Sequence, residues 1–241
     1  IYTFLSGLFP SQHGMGDYKK PLYEENPSID IVDLPTILKK CGFMSQFCVS
    51  YPRFDPLYGW GRGVDSYYQA EYPFSSNAPE FSRVVRNFEL LKDNNSLMFL
   101  HLTRLHGPLL STDDTQTPQL HKAEDLDSAF NGDFLPLYFS QLEVFDDQIG
   151  RIVEYLKNTN QYNNTLILLT GDHGCSLPPK WGASPYAAYE EHLRTPLIIK
   201  PASWCNGLEK GVSFSPVSAQ KKIFETILKS NNLDLPNFFN Y

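Results

Sequence analysis

Leu168-Leu169-Thr170-Gly171-Asp172-His173-Gly174 is where an apolar, β-type run that begins at Thr165 stops at a carboxylate, an imidazole and a glycine. A strand ending this way suits an open α/β sheet, in which ligands bind in the crevice at the carboxyl ends of the strands. Past the strand end the chain has left the alternating pleat, so neighbouring Asp172 and His173 can both turn toward one ion. A glycine lets the backbone approach closely, and a divalent cation accepts mixed oxygen and nitrogen ligation. The same residues also make an ordinary polar turn, because Asp and Gly are common turn formers. Taken alone, the motif leaves both readings open.

Working outward, strands and helices alternate, which predicts a layered α/β domain with a largely parallel central sheet flanked by helices. Asp33-Leu34-Pro35 opens a helix with an N-cap acid and a proline in the first turn; Ile37 and Leu38 continue it and Gly42 stops it. Phe43 to Val49 follows as a strand. Phe81, Val84, Val85, Phe88 and Leu91 recur at helical spacing within 79–93, and Leu97-Met98-Phe99-Leu100-His101-Leu102 reads as a buried strand. A polar segment, 109–134, reads as a long loop beside a site. From Pro136 to Asn158, the residues Tyr138, Leu142, Phe145, Ile149, Ile152 and Leu156 form one apolar stripe. Asp146 and Asp147 lie beside that stripe and read as surface or packing acids. After Asp172, a strand is expected at Pro196-Leu197-Ile198-Ile199 and a helix from Val217 to Leu228.

The chain has 241 residues, 41% of them hydrophobic, enough for one sizeable domain with a single core. It contains no run of about 18 apolar residues, so no membrane span is expected. A net charge of −7, with lysines only in scattered doublets, argues against a nucleic-acid partner. Cys41, Cys48, Cys175 and Cys205 show no C-x-x-C spacing, which speaks against a zinc knuckle or a redox motif. Cys41 and Cys48 could form a disulfide or stay as buried thiols. Asn94-Asn95-Ser96 and Asn163-Asn164-Thr165 are glycosylation sequons. The opening Ile1-Tyr2-Thr3-Phe4-Leu5 has no initiator Met and resembles the interior of an element. The expectation is one domain over 1–241, cut at its ends.

The order of these segments resembles the sulfatase family of the alkaline phosphatase superfamily. Leu5-Ser6-Gly7-Leu8-Phe9-Pro10-Ser11-Gln12-His13-Gly14 is similar to the stretch that follows the family nucleophile. Leu34 to Phe43, Gly61-Arg62-Gly63-Val64-Asp65 and the strand running to His106-Gly107-Pro108 match in turn. Val144 to Gly150, then Asn164-Thr165 and Asp172-His173-Gly174, form the nearest match. Tyr189-Glu190 with Arg194-Thr195-Pro196-Leu197-Ile198-Ile199 completes the series.

The resemblance implies metal-dependent hydrolysis of a sulfate ester. It also admits phosphodiester hydrolysis or phosphoglycerol-type transfer on the same fold, or a non-catalytic domain that binds a glycan or a protein. It assigns Asp172 and His173 as metal ligands and His106 as the group that assists the leaving oxygen. Lys180 is the nearest counterpart of a family substrate-binding lysine. Calcium is the family's usual metal for sulfatases, and manganese or zinc would suit a phosphoesterase; an imidazole ligand favours the latter pair. The implied substrate is a sulfated or phosphorylated small molecule or glycan, and the implied location is secreted, lysosomal or periplasmic. His13, His101, Arg62 with Asp65, and Glu190 with Arg194 read as structural, Arg62 with Asp65 as a salt-bridged turn. His192 stands in reserve. Tyr58, Trp60, Tyr67 and Tyr68 could stack on a sugar ring or pack onto the core.

Three departures from the family pattern stand out. Counting back from Gly7 places the nucleophile upstream of Ile1, with the early acidic metal ligands further upstream. Ile1 occupies the place of the arginine that accompanies a formylglycine nucleophile. Cys48-Val49-Ser50-Tyr51-Pro52 stands where the family carries cations.

Overall fold

The computed structural model describes residues 1–15, 31–49, 54–69, 79–102, 105, 135–174, 189–205 and 221–233. In chain order the elements are α1 (Tyr2–Ser6), α2 (Pro10–His13), α3 (Leu34–Lys40), β1 (Met44–Val49), β2 (Ser66–Gln69), α4 (Pro79–Leu91), β3 (Ser96–His101), α5 (Leu135–Asn158), β4 (Ile167–Thr170), α6 (Glu190–Leu193), β5 (Leu197–Lys200) and α7 (Lys221–Ser230). Strands β2, β1 and β3 pair in that order, all parallel. Strands β4 and β5 pair antiparallel. The expected parallel sheet with flanking helices is therefore present, and β5 is the exception. A parallel neighbour for β4 would need a crossover of a dozen or more residues, usually a helix. Among the described residues the return from Thr170 to Leu197 contains only the single turn α6.

Strand β1 organises the core. Alternation sends Phe47 and Cys48 to opposite faces. Phe47 meets Tyr2, Leu5, Met15 and Trp60 on one side, while Cys48 meets Val84 of α4 and Ile152 and Leu156 of α5 on the other. A third cluster joins Leu34, Ile37 and Leu38 of α3 to Phe224 and Leu228 of α7. Helix α3 begins where the sequence predicts. The Asp33 carboxylate accepts the Thr36 N–H at 3.2 Å, and Pro35 stands in the first turn, where its missing donor costs nothing.

The turn before β2 is clamped to α3. Gly63 has φ +73°, and a Cβ there would lie 2.5 Å from the Thr36 nitrogen, so only glycine fits. The residues on either side of it are tied down separately. Arg62 Nε reaches Asp33 Oδ2 at 3.5 Å, its Nη2 donates to the Tyr2 hydroxyl at 3.0 Å, and it also donates to the Ile31 carbonyl. Asp65 instead pairs with Lys39 at 2.8 Å and accepts the Ser45 N–H at 2.8 Å. Both residues are structural as expected, but they are not partners of each other. Each anchors a different neighbour, which holds the Asp65 carboxyl below its usual range through Lys39 and then Ser45.

Candidate functional site

The turn after β4 is shaped by its own hydrogen bonds. Asp172 Oδ1 accepts the His173 N–H at 3.0 Å. His173 Nδ1 lies 2.8 Å from the Gly174 carbonyl oxygen, which can only accept, so Nδ1 carries the proton. In the neutral ring the lone pair is then on Nε2, which stands 3.9 Å from Asp172 Oδ2. Both side chains are partly exposed. Gly174 fixes the turn from below: its N–H donates to the His192 carbonyl at 2.8 Å. A Cβ on Gly174 would fall 1.9 Å from the Glu191 carbonyl oxygen, so no other residue could occupy the position without moving α6. Helix α6 thus supports the turn through its backbone, a role no side-chain motif advertised. The signal in the sequence was the glycine itself.

These donors suit a divalent cation. Metal bonds to imidazole nitrogen and carboxylate oxygen are each about 2.1 Å, so two ligands of one ion stand at most roughly 4.2 Å apart. The 3.9 Å between Nε2 and Oδ2 falls inside that span; a small side-chain rotation would bring the pair to a tetrahedral or octahedral angle. The tautomer is also the one a metal requires, with the second ring nitrogen tied to a carbonyl. Among the described residues no group of three or more His, Cys, Asp or Glu gathers in metal-binding geometry. Asp172 and His173 alone would therefore make up only part of a ligand set.

The turn opens onto a cavity of about 2370 Å³ bounded by β3, α5 and β4. Ile1 lies in the same wall. Burial pushes its ammonium below the usual range, and the Asp172 carboxylate opposes that shift, which puts the first residue within electrostatic reach of the turn. Sequence reasoning did not anticipate that proximity.

His106, Lys180 and His121, together with most of 109–134, lie outside the described residues. His13 is buried and structural. Its Nδ1 accepts the Met15 N–H at 3.0 Å, its Nε2 stands 3.1 Å from Thr3 Oγ1, and Tyr2 packs edge-on at 5.3 Å. Burial, and then the positive Ile1 terminus, lower its pKa to about 4. His101 packs edge-on to Phe54 at 4.8 Å. Glu190 and Arg194 form an exposed pair at 2.9 Å. His192 is buried beside Tyr189. The aromatic residues face inward: Trp60 meets Tyr2 and Phe54, Tyr67 meets Phe47 and donates to the Phe54 carbonyl, and Tyr68 and Tyr58 join core clusters. Trp60 is buried, while Tyr58, Tyr67 and Tyr68 are half-buried. Asp146 and Asp147 are exposed. Cys41 and Cys48 are free thiols, one exposed and one buried.

The family profile "Sulfatase" matches residues 1–230. The chain is 28% identical over 100 residues to an N-acetylglucosamine-6-O-sulfatase from Bacteroides thetaiotaomicron, a match covering 42% of this chain and 17% of that enzyme. Its fold is similar to a structure solved in complex with D-glucosamine-2-N,6-O-disulfate, with TM-score 0.66 and 16% identity, covering 98% of this chain and 67% of the other. It is also similar to the lipoteichoic acid synthase LtaP from Listeria monocytogenes, with TM-score 0.62 and 15% identity, covering 98% of this chain and 59% of the other. The match thus takes in less than one fifth of the curated relative's length, while the two solved structures share their fold with nearly all of this chain. The family match spans almost every residue and the fold is shared with these structures: the chain belongs to the sulfatase family.

Proposed function

We propose that this chain is the greater part of a metal-dependent hydrolase of sulfate esters, acting on a sulfated small molecule or glycan. The observation that carries the proposal is the Asp172-His173 turn. A carboxylate oxygen and an imidazole nitrogen face each other across 3.9 Å at the end of a strand, on the wall of a large cavity. In this reading the nucleophile and the remaining acidic ligands come from residues that precede Ile1.

Asp172 Oδ2 and His173 Nε2 would hold the cation. When bound, such an ion neutralises ester oxygens and lowers the nucleophile's pKa. Calcium fits the resemblance; manganese or zinc fits the imidazole better. Hydrogen bonds within the turn keep the ring in one tautomer, and Gly174 holds the turn on α6. His106 donates a proton to the departing alcohol oxygen as the sulfur–oxygen bond breaks and the nucleophile's oxygen bonds to sulfur. Lys180 contacts the charged ester oxygens.

One feature favours a second reading, phosphodiester hydrolysis or phosphoglycerol-type transfer. Ile1 stands where an arginine would accompany formylglycine, so a hydroxyl nucleophile fits the same place. Both readings share a charge constraint. A sulfate ester or a phosphodiester carries one negative charge, whereas a phosphate monoester carries nearly two. A site with fewer cations accepts the first pair more readily.

The test is an assay of the whole protein, with the residues before Ile1 included. Nitrophenyl sulfate, nitrophenyl phosphate and a nitrophenyl phosphodiester are compared under calcium, manganese and zinc. Turnover of the sulfate ester is expected. Preference for the diester would transfer the assignment to the second reading, preference for the monoester would contradict the charge argument, and no turnover of any would favour a binding domain. His106→Ala is expected to lower kcat by roughly 10²–10⁴-fold on esters with poor leaving groups and far less on nitrophenyl esters. A uniform loss would make His106 a binding residue.

A further inference from the structure

We propose, resting on the reading of Asp172 and His173 as metal ligands, that His192 is the positioning residue for that pair. Its buried imidazole anchors α6, and the α6 backbone in turn sets where the two ligands stand.

Helix α6 cannot hold itself in place. It is a single turn, Glu190–Leu193, and a helix that short has no stability of its own in water. Tyr189, at its N-cap, supplies no side-chain cap among the described residues. The pair of Glu190 with Arg194 is exposed on both sides and therefore contributes little. Packing must fix the turn instead, and its packing is inverted. Leu193, its one aliphatic residue, is 68% exposed, whereas His192 is 9% exposed and is the buried side chain of the turn. A buried polar group beside an exposed leucine carries information, because an imidazole is costly to bury unless it is hydrogen-bonded and closely packed. The Tyr189 ring stands 6.1 Å from it, centroid to centroid. With Leu193 turned outward, the inward grip of α6 is left to His192.

What His192 anchors is the ligand turn, which is held at both ends. At the strand end, Thr170 pairs with Leu197 in the β4–β5 ladder. At the far end, the Gly174 N–H donates to the His192 carbonyl at 2.8 Å. Between them the two segments touch. A Cβ on Gly171 would lie 3.3 Å from the Thr195 methyl carbon. One on Gly174 would lie 1.9 Å from the Glu191 carbonyl oxygen and 3.3 Å from that of Arg194. Thr195 precedes Pro196, which restricts it to extended backbone and stiffens the join to β5. Residues 191–195 thus back the whole of 171–174, and the Asp172 and His173 backbone follows α6. The tolerance is narrow. Asp172 Oδ2 and His173 Nε2 stand 3.9 Å apart, within a few tenths of an ångström of the widest separation one ion allows.

The test uses the whole protein, stripped of metal, and compares His192→Ala with Leu193→Ala from the same turn. Hydrogen exchange resolved at single residues by NMR reads the anchor. Calorimetric titration with calcium, manganese and zinc reads its effect on the ion. In His192→Ala the Gly174 amide should exchange at least about tenfold faster while the β4 amides keep their wild-type rates. The ion should bind roughly 10–100-fold more weakly, the usual loss when the support behind a metal ligand is removed. Leu193→Ala should match wild type in both measurements. Equal acceleration at Gly174 and in β4, with metal affinity unchanged, would make His192 a residue of general stability and overturn the proposal; so would wild-type values throughout. Should His192→Ala fail to fold, His192→Gln is read by the same two measurements and the same results decide. If the wild-type protein binds no ion, the proposed function fails separately; selective loss of Gly174 protection would then still support the anchor, and intact protection would overturn it.

Discussion

Strands β1 and β4 carry similar apolar residues and have opposite surroundings. Strand β1 is paired on both sides and packed on one face by Tyr2 and Leu5 of α1 with Met15 and Trp60, and on the other by α4 and α5. Strand β4 is paired only with β5 among the described strands, and all four of its residues are half-exposed. The first region is finished as a piece of core. The second ends in the Asp172-His173 turn, beside a cavity. Stability and the proposed chemistry therefore sit in different sheets, and substitutions should separate them.

The largest stability effect is expected at Phe47, which is 2% exposed and packs against Phe99 at 4.8 Å and Tyr67 at 5.9 Å. Phe47→Ala should destabilise the chain by about 3–5 kcal/mol, as for other buried phenylalanines. Leu168→Ala, in the half-exposed β4, should cost about 1 kcal/mol, close to the mean for point substitutions. Denaturant melts of both variants would show this gap; equal losses would break the contrast between the two regions.

A smaller effect concerns acid. His13 has a folded-state pKa of about 4 against an ordinary 6.5, lowered first by burial and then by the Ile1 terminus. The folded state holds the ring neutral, so between these values the unfolded chain binds more protons. Stability from this group is complete above about pH 6.5 and is lost as pH falls toward about 4; below that the folded ring protonates too. His13→Gln, which cannot titrate, should flatten the pH dependence of the melting midpoint over that window. An unchanged slope would place the acid sensitivity elsewhere. The electrostatic part should also weaken in a longer chain, where residue 1 carries no terminal charge.

Much of this was legible from periodicity and punctuation. The α3 start was marked by Asp33 and Pro35, and the structure supplies the cap bond. The α5 stripe was visible as spacing, but spacing alone cannot say that it borders a cavity as well as the core. Short β2 escaped notice because Ser66-Tyr67-Tyr68-Gln69 alternates weakly, and its place comes from tertiary pairing with β1. Arg62 and Asp65 read as a pair because they are close in sequence, yet their partners, Asp33 and Lys39, belong to another element. Asp172, His173 and Gly174 were readable as a turn at a strand end, and the structure shows the hydrogen bonds that shape it. The support from the α6 backbone and the approach of Ile1 were not readable, since both arise from the way distant segments fold together.

The central claim is that Asp172 and His173 hold a divalent cation, and metal binding tests it most directly. The whole protein, stripped with chelator, would be titrated calorimetrically with calcium, manganese and zinc, alongside Asp172→Ala and His173→Ala. One ion should bind per wild-type chain, each variant should bind it at least tenfold more weakly, and Asp172→Ala should lose turnover by several orders of magnitude. Equal metal affinity in wild type and both variants would contradict the account and reduce Asp172-His173-Gly174 to a polar turn.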